Sequence, residues 1–172
     1  MSAAGKAREA AMQPYTVASL EAVQPFDVES FTREDAFELG VIASMLIRER
    51  GLELAVDVVL GSGDDTDLVF RAKFTGTGPD NDPWLAGKAA VARRYSAPSL
   101  LVRRRHEEAG TPFETLDDPT IDHALLKAHG GSIPLFVQGI LAGTITTSGE
   151  PDVVDHETAA DALAAYQGST RR

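Results

Sequence analysis

The chain contains no cysteine among its 172 residues. That absence excludes disulfides, zinc sites built on thiolates, iron–sulfur clusters, covalently attached c-type haem and thiol nucleophiles, and it is compatible with a reducing compartment. Long apolar runs are also missing. No stretch reaches the roughly 18 apolar residues of a membrane span, and the N-terminal residues lack the apolar region of a signal peptide. The sequence therefore predicts a cytoplasmic protein with no membrane partner.

Positive charge is in short supply, because 16 lysines and arginines stand against 26 acidic residues and give a formal net charge of −10. A nucleic acid would have to be held by a local basic patch working against this overall field. The basic residues that cluster in mid-chain are Lys88, Arg93, Arg94, Arg103, Arg104 and Arg105. No regular series of aromatic side chains accompanies them, as a single-strand-binding surface would require. We interpret them as solvated helix faces or salt-bridge partners and predict no nucleic-acid partner.

What the sequence does contain is a regular succession of hydrophobic patterns. Apolar residues spaced by three and four, with a capping residue or proline at the start and a glycine or proline at the end, predict helices. The predicted helices cover 32–51, 82–97, 98–110 and 121–128, and a last one begins beyond Pro151. Strictly alternating apolar residues predict two β-hairpins, over 53–74 and 133–148.

The order of these elements decides the predicted fold class. Short loops inside each hairpin favour antiparallel pairing, and helices between the hairpins favour an α+β layer fold over a doubly wound parallel sheet. The length suits one compact domain, which we place at 15–172. Residues 1–14 are Ala-rich without sustained periodicity, and we interpret them as a flexible N-terminal leader.

Histidine is the residue type most informative for chemistry, because its charge changes near neutral pH. None of the four histidines has a strong metal-binding spacing. His129 precedes Gly130 and Gly131, which allow a tight turn whose N–H groups could bind an anion beside the ring, with the Ser132 hydroxyl close by. The alternative is that the glycines end the helix predicted over 121–128 and that His129 caps its last carbonyl groups.

His156 follows Asp155 near the start of the last predicted helix. Neighbouring side chains on a helix diverge by about 100°, so these two residues cannot form an acid–histidine pair with one another. Any partner for either side chain must come from elsewhere in the fold.

The heptapeptide GPDNDPW combines a loop, a helix start and the only tryptophan of the chain. One interpretation is structural, because Asp and Asn side chains cap helices and fix turns. The other is a pocket rim, with Asp80 and Asn81 positioning a ligand and Trp84 offering a flat apolar surface. Lys88 or Arg93 would then bind a carboxylate of that ligand.

Four stretches carry a resemblance to a known family: TREDAFELGVIASMLIRERGLELAVDV, PDNDPWLAGKAAVARRY, AHGGSIPLFVQGILAGTITTSG and DHE. Over about residues 30–166 the chain resembles the haem-degrading domain family, which is GlcG-like and haem-binding-protein-like, in its uncharacterised cytosolic branch. The resemblance implies a single haem-degrading-like α+β domain. Its fold would be a profilin-like antiparallel sheet of about five strands flanked by helices, and its assembly a homodimer or a ring of dimers.

The resemblance also implies a link to haem or a related tetrapyrrole. Haem iron needs an axial donor, for which His129 and His156 are the candidates, and the porphyrin needs an apolar slot with cations for its propionates. Those cations would be Lys88, Arg93 and Arg94. Oxidative ring opening would further need a reductant and oxygen, so the resemblance leaves catalysis open. Two alternatives remain: a non-enzymatic assembly or small-acidic-ligand-binding protein, and an enzyme acting on a small acidic metabolite.

Overall fold

In the computed structural model, which describes residues 1–63 and 65–170, six helices surround a sheet of five strands. The helices are α1 (Ala3–Ala11), α2 (Val17–Glu21), α3 (Arg33–Arg50), α4 (Asp82–Tyr95), α5 (Ser99–Glu108) and α6 (Asp152–Thr170). The strands are β1 (Asp27–Val28), β2 (Ala55–Leu60), β3 (Asp67–Lys73), β4 (Ser132–Val137) and β5 (Ile140–Ser148). None of the helices in the described part of the chain has the length and apolarity of a membrane span.

The sheet has the strand order β1–β4–β5–β2–β3. Both predicted hairpins are present and antiparallel, and β2 also pairs antiparallel with β5. The two-residue strand β1 instead pairs in parallel with β4. The α+β class and the strand number are therefore confirmed, and the sheet departs from the antiparallel pattern at β1 alone among the described strands.

Local signals in the sequence account for the boundaries of α3 and of the second hairpin. Thr32 caps α3 by accepting the Asp35 N–H, the Asp35 carboxylate accepts the Thr32 N–H, and Gly51 ends the helix with φ of 64°. Gln138 and Gly139 both have positive φ, 51° and 77°. Two positive φ values in a two-residue loop are typical of the turn that matches the twist of a hairpin, so this connection fixes the β4–β5 register.

Two apolar clusters form the core. The larger one joins α3 and α6 to the sheet and includes Leu39, Ile47, Val56, Leu135, Ile145 and Leu163. The smaller one lies among α2, α4, α5 and the segment 111–128 and includes Leu20, Val91, Leu100 and Phe113. Since α4 also packs on β4 and β5, the centre of the sheet is covered by helices from both clusters.

The N-terminal segment, which the sequence predicts as a flexible leader, contains a helix in the structure. Residues 3–11 form α1, whose Arg8 pairs with Glu157 of α6. The backbone N–H of Ser2 donates to the buried carboxylate of Glu150 at 2.8 Å. Both contacts join α1 to residues about 150 positions away in the chain, so the local sequence gave no sign of them.

The prediction of a helix over 121–128 is wrong, because this segment makes only a turn. The Asp122 side chain accepts the Ala124 N–H at 2.9 Å, an interaction that favours a turn over a continuing helix. The Lys127 N–H then donates to the Gly87 carbonyl at 3.2 Å and ties the chain to α4. His129 consequently follows no helix and cannot act as a helix cap.

Candidate functional site

Two cavities share α6 as a wall. The first, of about 590 Å³, we call the α6 cavity; its lining includes Tyr15, Phe26, Leu101, Ile133, His156 and Leu163. The second, of about 620 Å³, we call the α4 cleft; its lining includes Asn81, Trp84, Lys88, Arg103, His129 and Asp152. Asp155 lines the cleft and His156 lines the cavity. The two neighbouring side chains thus diverge, as helix geometry requires.

The α4 cleft brings together half of the candidate residues: Asn81, Trp84, Lys88 and His129. The indole of Trp84 meets the His129 ring edge-on, with ring centroids 5.1 Å apart. The ammonium of Lys127 lies 4.7 Å from the centre of the same indole. Trp84 and His129 therefore form an aromatic edge of the cleft, with a cation from the protein itself against the tryptophan.

Lys88 is buried, and its charge is compensated inside the protein. Its ammonium donates to Asp155 at 2.5 Å and to the Thr147 carbonyl at 3.1 Å. Burial raises the pKa of Asp155 to about 6, and contact with Lys88 opposes that rise. Because the pair is internal, Lys88 does not offer an uncompensated charge to a ligand in the cleft.

The second cation of the cleft, Arg103, is also paired. Its Nη1 donates to Asp152 at 2.8 Å and lies 2.9 Å from Nδ1 of His129. The other ring nitrogen, Nε2, lies 3.3 Å from a Glu114 carboxylate oxygen. Burial, and then the charge of Arg103, lower the pKa of His129, so its ring is neutral at pH 7. Both nitrogens of His129 therefore have partners within the protein.

The glycine turn after His129 already holds an anion of the chain. Gly131 has φ of 129°, and a Cβ there would meet the Thr147 carbonyl oxygen at 2.3 Å, so the position requires glycine. The Gly130 N–H donates to Asp152 at 3.4 Å. The carboxylate that the turn receives is thus Asp152.

Three other candidates lie apart from this cluster. Asp80 is exposed on the 3-10 turn before α4, and Arg93 is half-buried on α4; neither lines either cavity. Burial lowers the pKa of Arg93. Ser132 is fully buried: its hydroxyl lies 2.8 Å from that of Thr146, and its N–H donates to Ser99 at 3.0 Å. These contacts make Ser132 part of the packing of β4 against β5.

The α6 cavity is lined on one side by a stripe of α6 with helical spacing: His156, Ala160, Leu163, Ala164 and Gln167. The small side chains at 160 and 164 leave space in front of the helix. The remaining walls come from α2 and the loop after it, the junction of α4 with α5, and β4. Apolar groups make up most of this lining, as is typical of cavities that hold apolar ligands.

His156 is the notable polar group in that wall. Its side chain is 5% exposed, its ring meets the Tyr15 ring edge-on at 5.1 Å, and its Nδ1 has no hydrogen-bond partner among the described residues. Burial lowers the pKa of His156 to about 4. The imidazole is therefore neutral at pH 7, with lone-pair density on a ring nitrogen that no protein donor occupies.

The family model for HbpS-like haem degrading proteins matches residues 31–164. The chain belongs to this HbpS-like haem-degrading family. A UPF0303 protein of Streptomyces coelicolor is 38% identical over 155 residues, covering 89% of this chain and 94% of the relative. One from Rhizobium johnstonii is 36% identical over 149 residues, covering 86% of each. The predicted family is confirmed.

Solved structures share the fold of this HbpS-like chain at lower identity. The Ybr137w protein superposes with a TM-score of 0.79 at 22% identity, covering 93% of this chain and 92% of the other. HbpS gives 0.61 at 21% identity, covering 84% and 94%. A PduOC:heme complex gives 0.64 at 20% identity, covering 79% and 94%. At these identities the likeness establishes the fold.

Sequence reasoning missed several residues of the HbpS-like chain that line the two sites. Arg103 and Asp152 belong to the α4 cleft, yet 49 positions separate them. In the α6 cavity Tyr15 and Glu21 were missed, because they lie on a segment without a predicted element. Arg105 was interpreted only as a helix-surface or salt-bridge residue, and it does pair with Glu21. The prolines and polar residues around α2 gave no periodicity from which its place could be inferred.

Proposed function

We propose that this chain binds haem or a related tetrapyrrole in the α6 cavity, with His156 as the ligand to the iron. The observation that carries the proposal is the neutral imidazole of His156 in the wall of a mostly apolar cavity of ligand size. The protein encloses its Nδ1 without giving that atom a hydrogen-bond partner among the described residues. A neutral imidazole is a common ligand of metal ions, so a haem bound in the cavity would find an axial donor in this ring.

The cavity suits a tetrapyrrole in size and polarity. Its volume of about 590 Å³ lies within the range of roughly 300–1,000 Å³ for ligand pockets. Phe26, Leu101 and Leu163 provide apolar surface for a planar ring. When bound, haem supplies an iron centre that can bind small ligands and exchange electrons. His156 would provide a neutral imidazole to bind the iron. The edge-on contact with Tyr15 orients its ring.

The α4 cleft is a weaker candidate for the same ligand. The two ring nitrogens of His129 are engaged by Arg103 and Glu114. Propionates or a small acidic ligand would also meet the carboxylates of Asp152 and Asp155, which already pair with the cations of the cleft. Membership of the HbpS-like family, and the haem in the PduOC complex of the same fold, support a tetrapyrrole as the ligand.

Titration of the purified protein with hemin, followed by absorbance, tests the proposal. We expect a sharp Soret band that shifts and broadens in His156→Ala, because the iron loses its axial donor, and that free imidazole restores. His129→Ala is the matched control and is expected to leave the band unchanged. A flat titration of the wild-type protein, or a band altered by His129→Ala and not by His156→Ala, would contradict the proposal.

We propose further that the chain forms a homodimer through β3. This strand ends the sheet, so its outer N–H and C=O groups are free to pair with a second strand. Beside it, α3 exposes Phe37, Val41 and Met45, one turn apart on the same face, and β3 exposes Leu68. An exposed apolar stripe next to an open strand edge is typical of an interface.

The sequence of β3 is complementary to itself. Antiparallel pairing of two copies about a two-fold axis at Phe70 places Asp67 of each copy opposite Lys73 of the other, at both ends of the strand. Opposite charges facing each other across a strand pair stabilise that register. We also propose that such dimers can assemble into rings. The cytoplasmic location that the sequence predicts is part of the same proposal.

Light scattering coupled to gel filtration tests the homodimer. Asp67→Lys is expected to give monomers, because like charges then face each other, and adding Lys73→Asp is expected to restore the dimer. Arg33→Ala is the control for the loss of the intramolecular Arg33–Asp67 pair and should leave the mass unchanged. A monomeric wild-type protein would contradict the interface, as would a double variant that remains monomeric.

A further inference from the structure

We infer that Arg105 is the carboxylate-recognition residue of the α6 cavity and that Glu21 competes with the ligand for it. This inference rests on the proposed function of the cavity as a tetrapyrrole site and narrows its ligand to tetrapyrroles that carry a carboxylate. Arg105 lies on α5 and Glu21 ends α2, and both side chains line the cavity.

In the Arg105–Glu21 pair the guanidinium reaches only one of the two carboxylate oxygens. Nε and Nη2 of Arg105 donate at 3.1 and 2.8 Å to the same oxygen, Oε1 of Glu21. Arginine and carboxylate pair most strongly when two parallel hydrogen bonds reach two oxygens. Both side chains are about half exposed, 49% and 48%, so water weakens the existing pair. A ligand carboxylate that binds side-on would therefore replace Glu21 with a better geometry.

Charge inside the cavity favours the same conclusion. Among the described residues that line it, Arg105 and Glu21 are the charged side chains, because His156 is neutral at pH 7. Their charges cancel, and the net charge of −10 gives no long-range attraction for an anionic ligand. A carboxylate entering the cavity thus depends on Arg105 alone and is opposed by Glu21.

The release of Glu21 does not require α2 to leave its place. The other end of α2 is tied to α5 by the Val17 N–H, which donates to Glu108 at 2.9 Å. Between these two contacts Leu20 is buried in the smaller apolar cluster. Substitution of Glu21 therefore changes the charge at the cavity while α2 keeps its anchors.

The test compares the dissociation constants of hemin and hemin dimethyl ester, which lacks the free carboxylates, by absorbance titration. Glu21→Gln is expected to tighten hemin binding by about two- to fivefold, the equivalent of an exposed ion pair, and to leave the ester unchanged. Arg105→Gln should weaken hemin binding to the level of the ester. Glu108→Gln is the matched control, because it removes a negative charge at the same α2–α5 contact but outside the cavity lining, and should behave as wild type.

The outcomes separate the inference from the proposal beneath it. If hemin and its ester bind with the same ratio of dissociation constants in all four proteins, the inference is overturned and the tetrapyrrole site stands. If Glu108→Gln tightens hemin binding as much as Glu21→Gln does, general charge explains the effect and the inference also fails. If the wild-type protein binds neither compound, both the inference and the proposed function are overturned.

Discussion

Lys88 and Asp155 form a buried ion pair in the α4 cleft. Their side chains are 3% and 2% exposed. Removing one partner of a buried pair leaves the other charge without compensation, at a cost of about 3–5 kcal/mol. We expect Lys88→Met to lower the free energy of unfolding by about this amount at pH 7, measured by urea denaturation. The loss should shrink as the pH falls towards 6, because without Lys88 the pKa of Asp155 lies above its wild-type value of about 6 and the carboxyl takes up a proton at higher pH.

An exposed pair in the same protein provides the control. Arg105 lies 2.8 Å from Glu21, with side chains 49% and 48% exposed, and such pairs contribute about 0–1 kcal/mol. Arg105→Met is therefore expected to change the free energy of unfolding of the ligand-free protein by less than about 1 kcal/mol. Equal losses in the two variants would contradict the distinction between the buried and the exposed pair.

The buried imidazole of His156 makes the folded protein less stable as the pH falls. Its pKa is about 4 in the folded protein and about 6.5 in an unfolded chain, so the unfolded chain binds the proton first as the pH falls. The contribution of His156 to the free energy of unfolding is therefore present in full above pH 6.5. It is lost as the pH falls from 6.5 to 4, by about 3 kcal/mol in all. We expect urea denaturation at pH 7 and at pH 4.5 to show this decline in the wild-type protein and a smaller one in His156→Phe.

Asp155 acts in the opposite direction over part of the same range. Its pKa is raised to about 6, so the folded protein binds this proton first and gains stability relative to the unfolded chain as the pH falls below 6. Both proteins in the comparison keep Asp155, and the difference between them therefore reports His156. Parallel declines in wild type and His156→Phe would show that the imidazole is not the source.

At the scale of elements, those with local signals were predictable. Thr32 and Gly51 mark the ends of α3, and alternation marks the hairpins, since each pattern reflects forces within a few residues. The helices α1 and α2 were not predicted because distant contacts hold them: Ser2 to Glu150, and Val17 to Glu108. The false helix over 121–128 had the composition of a helix, but the side chain of Asp122 and the contact with α4 favour a turn.

The contact of α1 with Glu150 gives a prediction for that element. The Glu150 carboxylate is 6% exposed and accepts the N–H groups of Ser2 and Glu53, both at 2.8 Å. In Glu150→Gln one acceptor oxygen becomes an NH₂ donor facing a donor. We expect the amides of residues 3–11 to exchange hydrogen faster in this variant, measured by mass spectrometry. Glu157→Gln, which affects only the ion pair with Arg8, serves as the control, and equal exchange in both variants would contradict the role of Glu150.

At the scale of the whole molecule, the candidate site was only half predictable. The rim around Trp84 could be inferred because its residues follow one another at the start of α4, and the fold then adds His129 to them. The α6 cavity could not be inferred, because its walls come from segments far apart in the sequence. The sequence offered His156 as a ligand candidate, but only the packing of Tyr15 against it gives the buried environment.

Ligand binding should stabilise the whole molecule. A ligand that binds only the folded state at 100 times its dissociation constant adds about 2.7 kcal/mol to the free energy of unfolding. We expect hemin to raise the melting temperature of the wild-type protein in calorimetry and to raise that of His156→Ala less. His129→Ala should match wild type; an equal rise in His156→Ala would contradict binding through that histidine.

The location of the iron tests the central claim most directly. A crystal structure of the protein loaded with hemin is expected to show the iron bonded to a ring nitrogen of His156, with the porphyrin between α6 and the loop after α2. Iron bonded to His129 in the α4 cleft, or a porphyrin bound on the outer surface with His156 unligated, would contradict it.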